Sequence, residues 1–110
     1  MPQSPLIDSH CHLDFIEFDK DRDEVIKRAK LNGIDNIISP GVSANNWQKI
    51  QALCKQNKNL HACYGIHPYE VEQHNDADLI KLEQYINSNP CVAIGECGLD
   101  YRTEQADKKT

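Results

Sequence analysis

Four runs dense in apolar residues of high β propensity recur along the chain: Leu6 to Leu13, Ile34 to Ser39, Leu60 to His67, and Cys91 to Gly95 running into Glu96. Their first residues are 28, 26 and 31 positions apart, the length of a strand, a turn and a crossover helix. Between them the period changes from two to that of a helix. In DRDEVIKRAKLNG, Val25, Ile26 and Ala29 form an apolar stripe, Asp21 with Glu24 forms a candidate capping box, and Gly33 suits a helix stop. SANNWQKIQALCKQN opens on Ser43 as N-cap and carries Trp47, Ile50, Leu53 and Cys54 on one face. DADLIKLEQYINSNP has Asp76 as cap, Leu79, Leu82 and Ile86 on its inner face, and Pro90 just past its end.

Strand and helix alternate throughout, which predicts an α/β fold of parallel βα repeats: right-handed βαβ units whose sheet is covered by helices on at least one face. No linker or low-complexity tract divides residues 1–110, so a single domain of four βα-type units is expected. A complete (β/α)8 barrel needs about 250 residues, so four units make an open sheet or half a barrel. The polar tail RTEQADKKT falls about where a fourth helix would begin. An open arc of four strands exposes two edges and inward-facing apolar residues, which predicts self-association if the chain is this short.

Composition narrows the class. With 39% hydrophobic and 26% charged residues in 110, the chain has ordinary globular values. A net charge of −5 gives no bulk attraction for nucleic acid, so a polyanionic substrate would require bound metal or a local basic patch. The five cysteines, Cys11, Cys54, Cys63, Cys91 and Cys97, are odd in number and show no C-x-x-C spacing. No signal peptide precedes them, and free thiols in a reducing cytoplasm are the expectation. No apolar run approaches the roughly 18 residues of a spanning helix, so no membrane partner is expected.

Candidate chemistry gathers at the C-terminal ends of the strand segments, where parallel α/β proteins bind ligands. In LIDSHCHLD, strand alternation puts Asp8, His10 and His12 on one face and Cys11 on the other, among packing residues. Two imidazoles at i and i+2 have Cα atoms about 6.7 Å apart, and their ring nitrogens can converge on one cation at about 2.1 Å. Asp8 could accept an imidazole N–H or contact a metal-bound water. Glu96 leaves an apolar strand between Gly95 and Gly98. A buried carboxylate needs compensation there, either a salt bridge, for which Arg102 is at hand, or a cation. His67, ahead of Pro68, is held extended at the end of the third strand, suited either to contacting substrate or to a structural role. His61 and His74 lack such context; a strand position and a solvated loop are expected for them.

Three segments in this order, DSHCHLD, GIHP and GECGLDY, resemble the TatD family of metal-dependent deoxyribonucleases, within the amidohydrolase-like TIM-barrel enzymes. The resemblance runs over essentially the whole chain and implies the N-terminal half of a TIM barrel. It also implies that His10 and His12 bind one divalent cation, that Glu96 bridges it to a second, and that His67 lines the site, making Glu96 and His67 the catalytic candidates. Two further histidines and a late aspartate belong to the family pattern on later strands and do not occur within these residues. The implied activity is hydrolysis of a phosphodiester, most simply in DNA, by metal-activated water, with zinc, magnesium or manganese as the ion. Two other functions stay open: an incomplete metal-binding or interaction module lacking the later ligands, and an amidohydrolase-type activity on a small ester or amide.

Overall fold

The computed structural model of the protein describes residues 4–102; the expected start of a fourth helix, at 103–110, lies outside them. Four strands, β1 (Leu6–Asp8), β2 (Ile34–Pro40), β3 (Leu60–Tyr64) and β4 (Ala93–Ile94), alternate with three helices, α1 (Arg22–Leu31), α2 (Ala44–Gln56) and α3 (Asp76–Ser88). All strand pairs are parallel and the sheet order is β1-β2-β3-β4, the arc of a half-barrel. Sequence order equals spatial order because each crossover helix carries the chain one strand along.

The helices form where the pattern predicted, with a different cap residue at α3 and no capping bond at α1. Ser43 caps α2 as expected, its Oγ accepting from the Asn45 N–H at 3.1 Å. Asp21 precedes α1 but makes no side-chain capping bond. The cap of α3 is Asn75 and not Asp76: Asn75 Oδ1 accepts from the Asp78 N–H while Asp78 Oδ2 accepts from the Asn75 N–H, a reciprocal box. Gly33 follows α1 with φ +90°, the left-handed conformation in which glycine carries no Cβ penalty.

Two apolar clusters join the helices to the sheet. Leu13, Ile26, Ile37 and Leu60 form one, with Cys11, Val25 and Ala29 packed against it; Trp47, Ile50, Ala62 and Tyr64 form the other, with Leu82 and Tyr85 against it. Leu60, Ala62 and Tyr64 alternate along β3 and lie in the clusters formed with the helices. Leu79, expected on the inner face of α3, is exposed; Leu82 makes that contact as expected, joined by Tyr85. Trp47 ties the second cluster to the strand ends by donating its indole N–H to the Gly65 carbonyl at 3.0 Å.

Candidate metal centre

The four candidate residues all lie just past the C-terminal ends of their strands. β1 is shorter than the sequence pattern suggested: it ends at Asp8, so His10 and His12 follow the strand and do not lie within it. The cause is local. Asp8 Oδ1 accepts from the His10 backbone N–H at 3.0 Å, an Asx-type bond that competes with the ladder, and pairing with β2 resumes only where Cys11 N–H donates to Ile38 O at 3.0 Å. Asp8 therefore shapes the backbone and does not bond an imidazole, the role expected for it. Cys11 packs against the core as expected, and burial pushes its thiol pKa up.

The geometry brings His10, His12 and Glu96 together, their ligand atoms all within 4.8 Å of one another. His10 Nε2 and His12 Nε2 are 3.1 Å apart, and Glu96 Oε2 lies 3.4 Å from the first and 3.1 Å from the second. Bonds of about 2.1 Å to one ion separate neighbouring donors by about 3.0 Å in an octahedron and about 3.4 Å in a tetrahedron. The triangle has the edge lengths of one face of such a polyhedron. Glu96 Oε2 is buried and has no hydrogen-bond partner among the described residues, a costly state for a carboxylate oxygen unless a cation engages it. The donor set therefore fits a divalent ion. His10, with its side chain 54% exposed, leaves the triangle open on one side.

Glu96 reaches that position because the chain after β4 folds across the end of β3. Gly95 N–H donates to Tyr64 O at 2.9 Å and Glu96 N–H to Gly41 O at 3.0 Å, beyond the end of β2. Between those anchors lies Gly65, where a Cβ would meet the Glu96 carbonyl oxygen at 2.5 Å and the Gly95 carbonyl carbon at 2.6 Å. Only a residue without a side chain permits the crossing.

His67 stands on the other side of the carboxylate, its Nε2 3.8 Å from Glu96 Oε1, too far for a hydrogen bond. It is extended, with φ −67° and ψ +147°, and its Nδ1 accepts from the Tyr69 N–H at 3.1 Å. That bond places the ring proton on Nε2, facing a cleft of about 450 Å³ lined by His67, Pro68, Glu96, Cys97 and Asp100 among others. The Arg102 salt bridge to Glu96 does not form: the guanidinium grips Asp100, at 2.8 Å from Nη2, and the Tyr69 hydroxyl at 3.1 Å. Arg102 holds the Asp100 carboxyl well below the usual carboxylate range.

Two residues near the site escaped the sequence pattern. Asp14 is 1% exposed and accepts from Asn46 Nδ2 at 2.6 Å; a carboxylate two positions after H-x-H carries no periodic signal. His74, expected in a solvated loop, is half-buried: its Nδ1 donates to Glu70 O at 2.7 Å and its Nε2 accepts from the Ala44 N–H at 3.0 Å, which satisfies a free donor at the start of α2. His61 takes the expected strand position, 2.8 Å from Asn36 Oδ1.

The family model for TatD related DNase matches residues 7–110. The chain belongs to the TatD family. Among curated TatD relatives it is 40% identical to the uncharacterized metal-dependent hydrolase YjjV of Escherichia coli K12 over 86% of this chain and 37% of that protein. It is 35% identical to a 3'-5' ssDNA/RNA exonuclease TatD of Cronobacter sakazakii over 77% of this chain and 32% of that one. The crystal structure of the E. coli TatD homologue YjjV superposes with a TM-score of 0.83 at 38% identity, covering 90% of this chain and 39% of that chain. A TatD family hydrolase from Entamoeba histolytica gives 0.75 at 29% identity, covering 96% and 42%. The chain thus spans about two fifths of the length of these TatD proteins, and its arc of four strands is the TIM-barrel half expected from the sequence.

Proposed function

We propose that this chain carries the first metal-binding corner of a divalent-metal-dependent hydrolase that cleaves phosphodiester bonds, with DNA as substrate. The observation that carries this reading is the triangle of His10 Nε2, His12 Nε2 and Glu96 Oε2, with edges of 3.1 to 3.4 Å around a buried carboxylate oxygen with no hydrogen bond among the described residues. His10 and His12 hold the ion and Glu96 compensates its charge. A divalent ion bound there supplies polarisation of a phosphoryl oxygen and lowers the pKa of a bound water towards neutrality. It also offers a polyanion the positive charge that the acidic chain lacks. Glu96 Oε1, turned towards His67, is the oxygen available to a second cation. His67 presents its Nε2–H to the cleft beside Glu96 and donates to a substrate oxygen on which negative charge develops. Support for a nucleic-acid substrate comes from the relatives named as ssDNA/RNA exonucleases; imidazole donors favour zinc, and the carboxylate also suits magnesium or manganese.

The test is metal binding joined to cleavage. Zinc or manganese is titrated into the chain and into His10→Ala, His12→Ala and Glu96→Ala, and divalent-dependent release of nucleotides from labelled single-stranded DNA is compared with turnover of ester and amide substrates. Each substitution is expected to weaken binding at least about tenfold. Equal binding in all four proteins would overturn the metal centre; ester or amide turnover without DNA cleavage would overturn the substrate.

A further inference from the structure

Two buried atoms near the triangle are unaccounted for by it. His12 Nδ1 and Asp14 Oδ1 are both buried and both lack a hydrogen-bond partner among the described residues. They sit two residues apart, in a turn closed by the Phe15 N–H bonding His12 O at 3.2 Å. One is a ring nitrogen that must carry a proton if Nε2 is to present a lone pair to an ion; the other is an acceptor with no proton to accept.

The surroundings fix this turn from three sides. Asn46, in the first turn of α2, holds the other oxygen of Asp14 at 2.6 Å. Arg22, with its side chain 13% exposed, donates to Leu13 O and Phe15 O, the carbonyls on either side of Asp14. The Phe15 ring stacks on the His12 imidazole with centroids 4.6 Å apart and planes 17° from parallel. A carboxylate that is 1% exposed and engaged through one oxygen only is costly to bury, and the unmatched ring nitrogen of a candidate ligand two residues earlier in the chain is its chemical complement.

We propose that Asp14 is a positioning residue for His12: its carboxylate, seated by Asn46, takes the Nδ1–H, holds the ring in the Nδ1–H tautomer and so aims the Nε2 lone pair at the triangle. The proposal rests on the metal-centre reading for its purpose and on the two unmatched atoms for its substance. Asp14 touches neither ion nor substrate.

The experiment reads tautomer and affinity separately. Long-range ¹H–¹⁵N NMR of the zinc-free chain is expected to report His12 protonated on Nδ1; a ring protonated on Nε2 overturns the proposal without any variant. Asp14→Asn is expected to shift the ring towards the Nε2–H tautomer and to weaken zinc about 10- to 100-fold, with circular dichroism unchanged. A folded Asp14→Asn chain with the parent tautomer and parent affinity overturns the proposal. If that variant unfolds, Asn46→Ala, which frees the carboxylate without removing it, is expected to loosen the tautomer preference and weaken zinc in the same direction; no change in either overturns it. A parent chain that holds the Nδ1–H tautomer yet binds no zinc supports the role of Asp14 and removes the metal-centre reading alone.

Discussion

At the scale of single residues, charge and burial separate groups that look alike in sequence. Burial pushes the Cys54 thiol up to about 11 and raises that of Cys63, whereas Cys97 is exposed beside Glu96. The thiolate is the reactive form and access limits its reaction, so a brief exposure to iodoacetamide at pH 8, read by peptide mass spectrometry, is expected to alkylate the exposed Cys97 first and Cys54 more slowly. Asp19 is held below the ordinary carboxyl range by hydrogen bonds from Arg22 and Lys49. Because the folded value is the lower one, its contribution to stability is present above the unfolded value of about 3.9 and is lost as pH falls through the folded value. The melting temperatures of the parent and Asp19→Asn are therefore expected to differ at pH 6 and to converge as the pH is lowered through the folded value.

The same scale shows where sequence reading succeeds and where it stops. The convergence of His10, His12 and Glu96 was expected, but from strand alternation that the structure lacks: Asp8 turns the backbone out of the ladder, and the imidazoles still meet. Asn75 could have been found, since N-x-x-D is a box as good as the Asp76 start. His74 could not, because its partner is the Ala44 N–H, 30 residues earlier in the chain.

At the scale of elements, strand ends decide the site. Gly65→Ala would push a methyl against the backbone of Gly95 and Glu96, which no rotamer change can relieve. It is expected to destabilise the fold by about 1–3 kcal/mol and to weaken zinc at least about tenfold, checked by urea unfolding and metal competition. Asn75→Ala removes the α3 cap and is expected to lower stability by about 1 kcal/mol while leaving zinc affinity at the parent value. The elements themselves were legible because each crossover helix has a clear apolar face, as in Trp47 and Ile50 of α2. Strand lengths were not, since an apolar run does not say where a side chain such as Asp8 will take over a backbone donor.

At the scale of the whole molecule, the arc leaves apolar side chains on its outer strands: Leu6 and Ile7 on β1 and Ile94 on β4 are each more than half exposed, as is Val92 just before β4. Apolar side chains this exposed are ones that a second copy can cover. Light scattering is expected to show concentration-dependent association of the chain, reduced in Ile94→Lys; a monomer at high concentration would count against it. The fold class was readable because periodicity is a property of the whole chain, whereas curvature, which draws β1 and β4 residues to one point, has no local signature.

The imidazoles arrive with the first strand of the arc and the carboxylate with the last. A backbone nick in the turn at residues 57–59 would leave the two nitrogens on one fragment and the acidic oxygen on the other, so neither piece alone would grip an ion well. A cation titrated into the mixed fragments would then act as a latch, and reassembly of the severed protein would rise with its concentration.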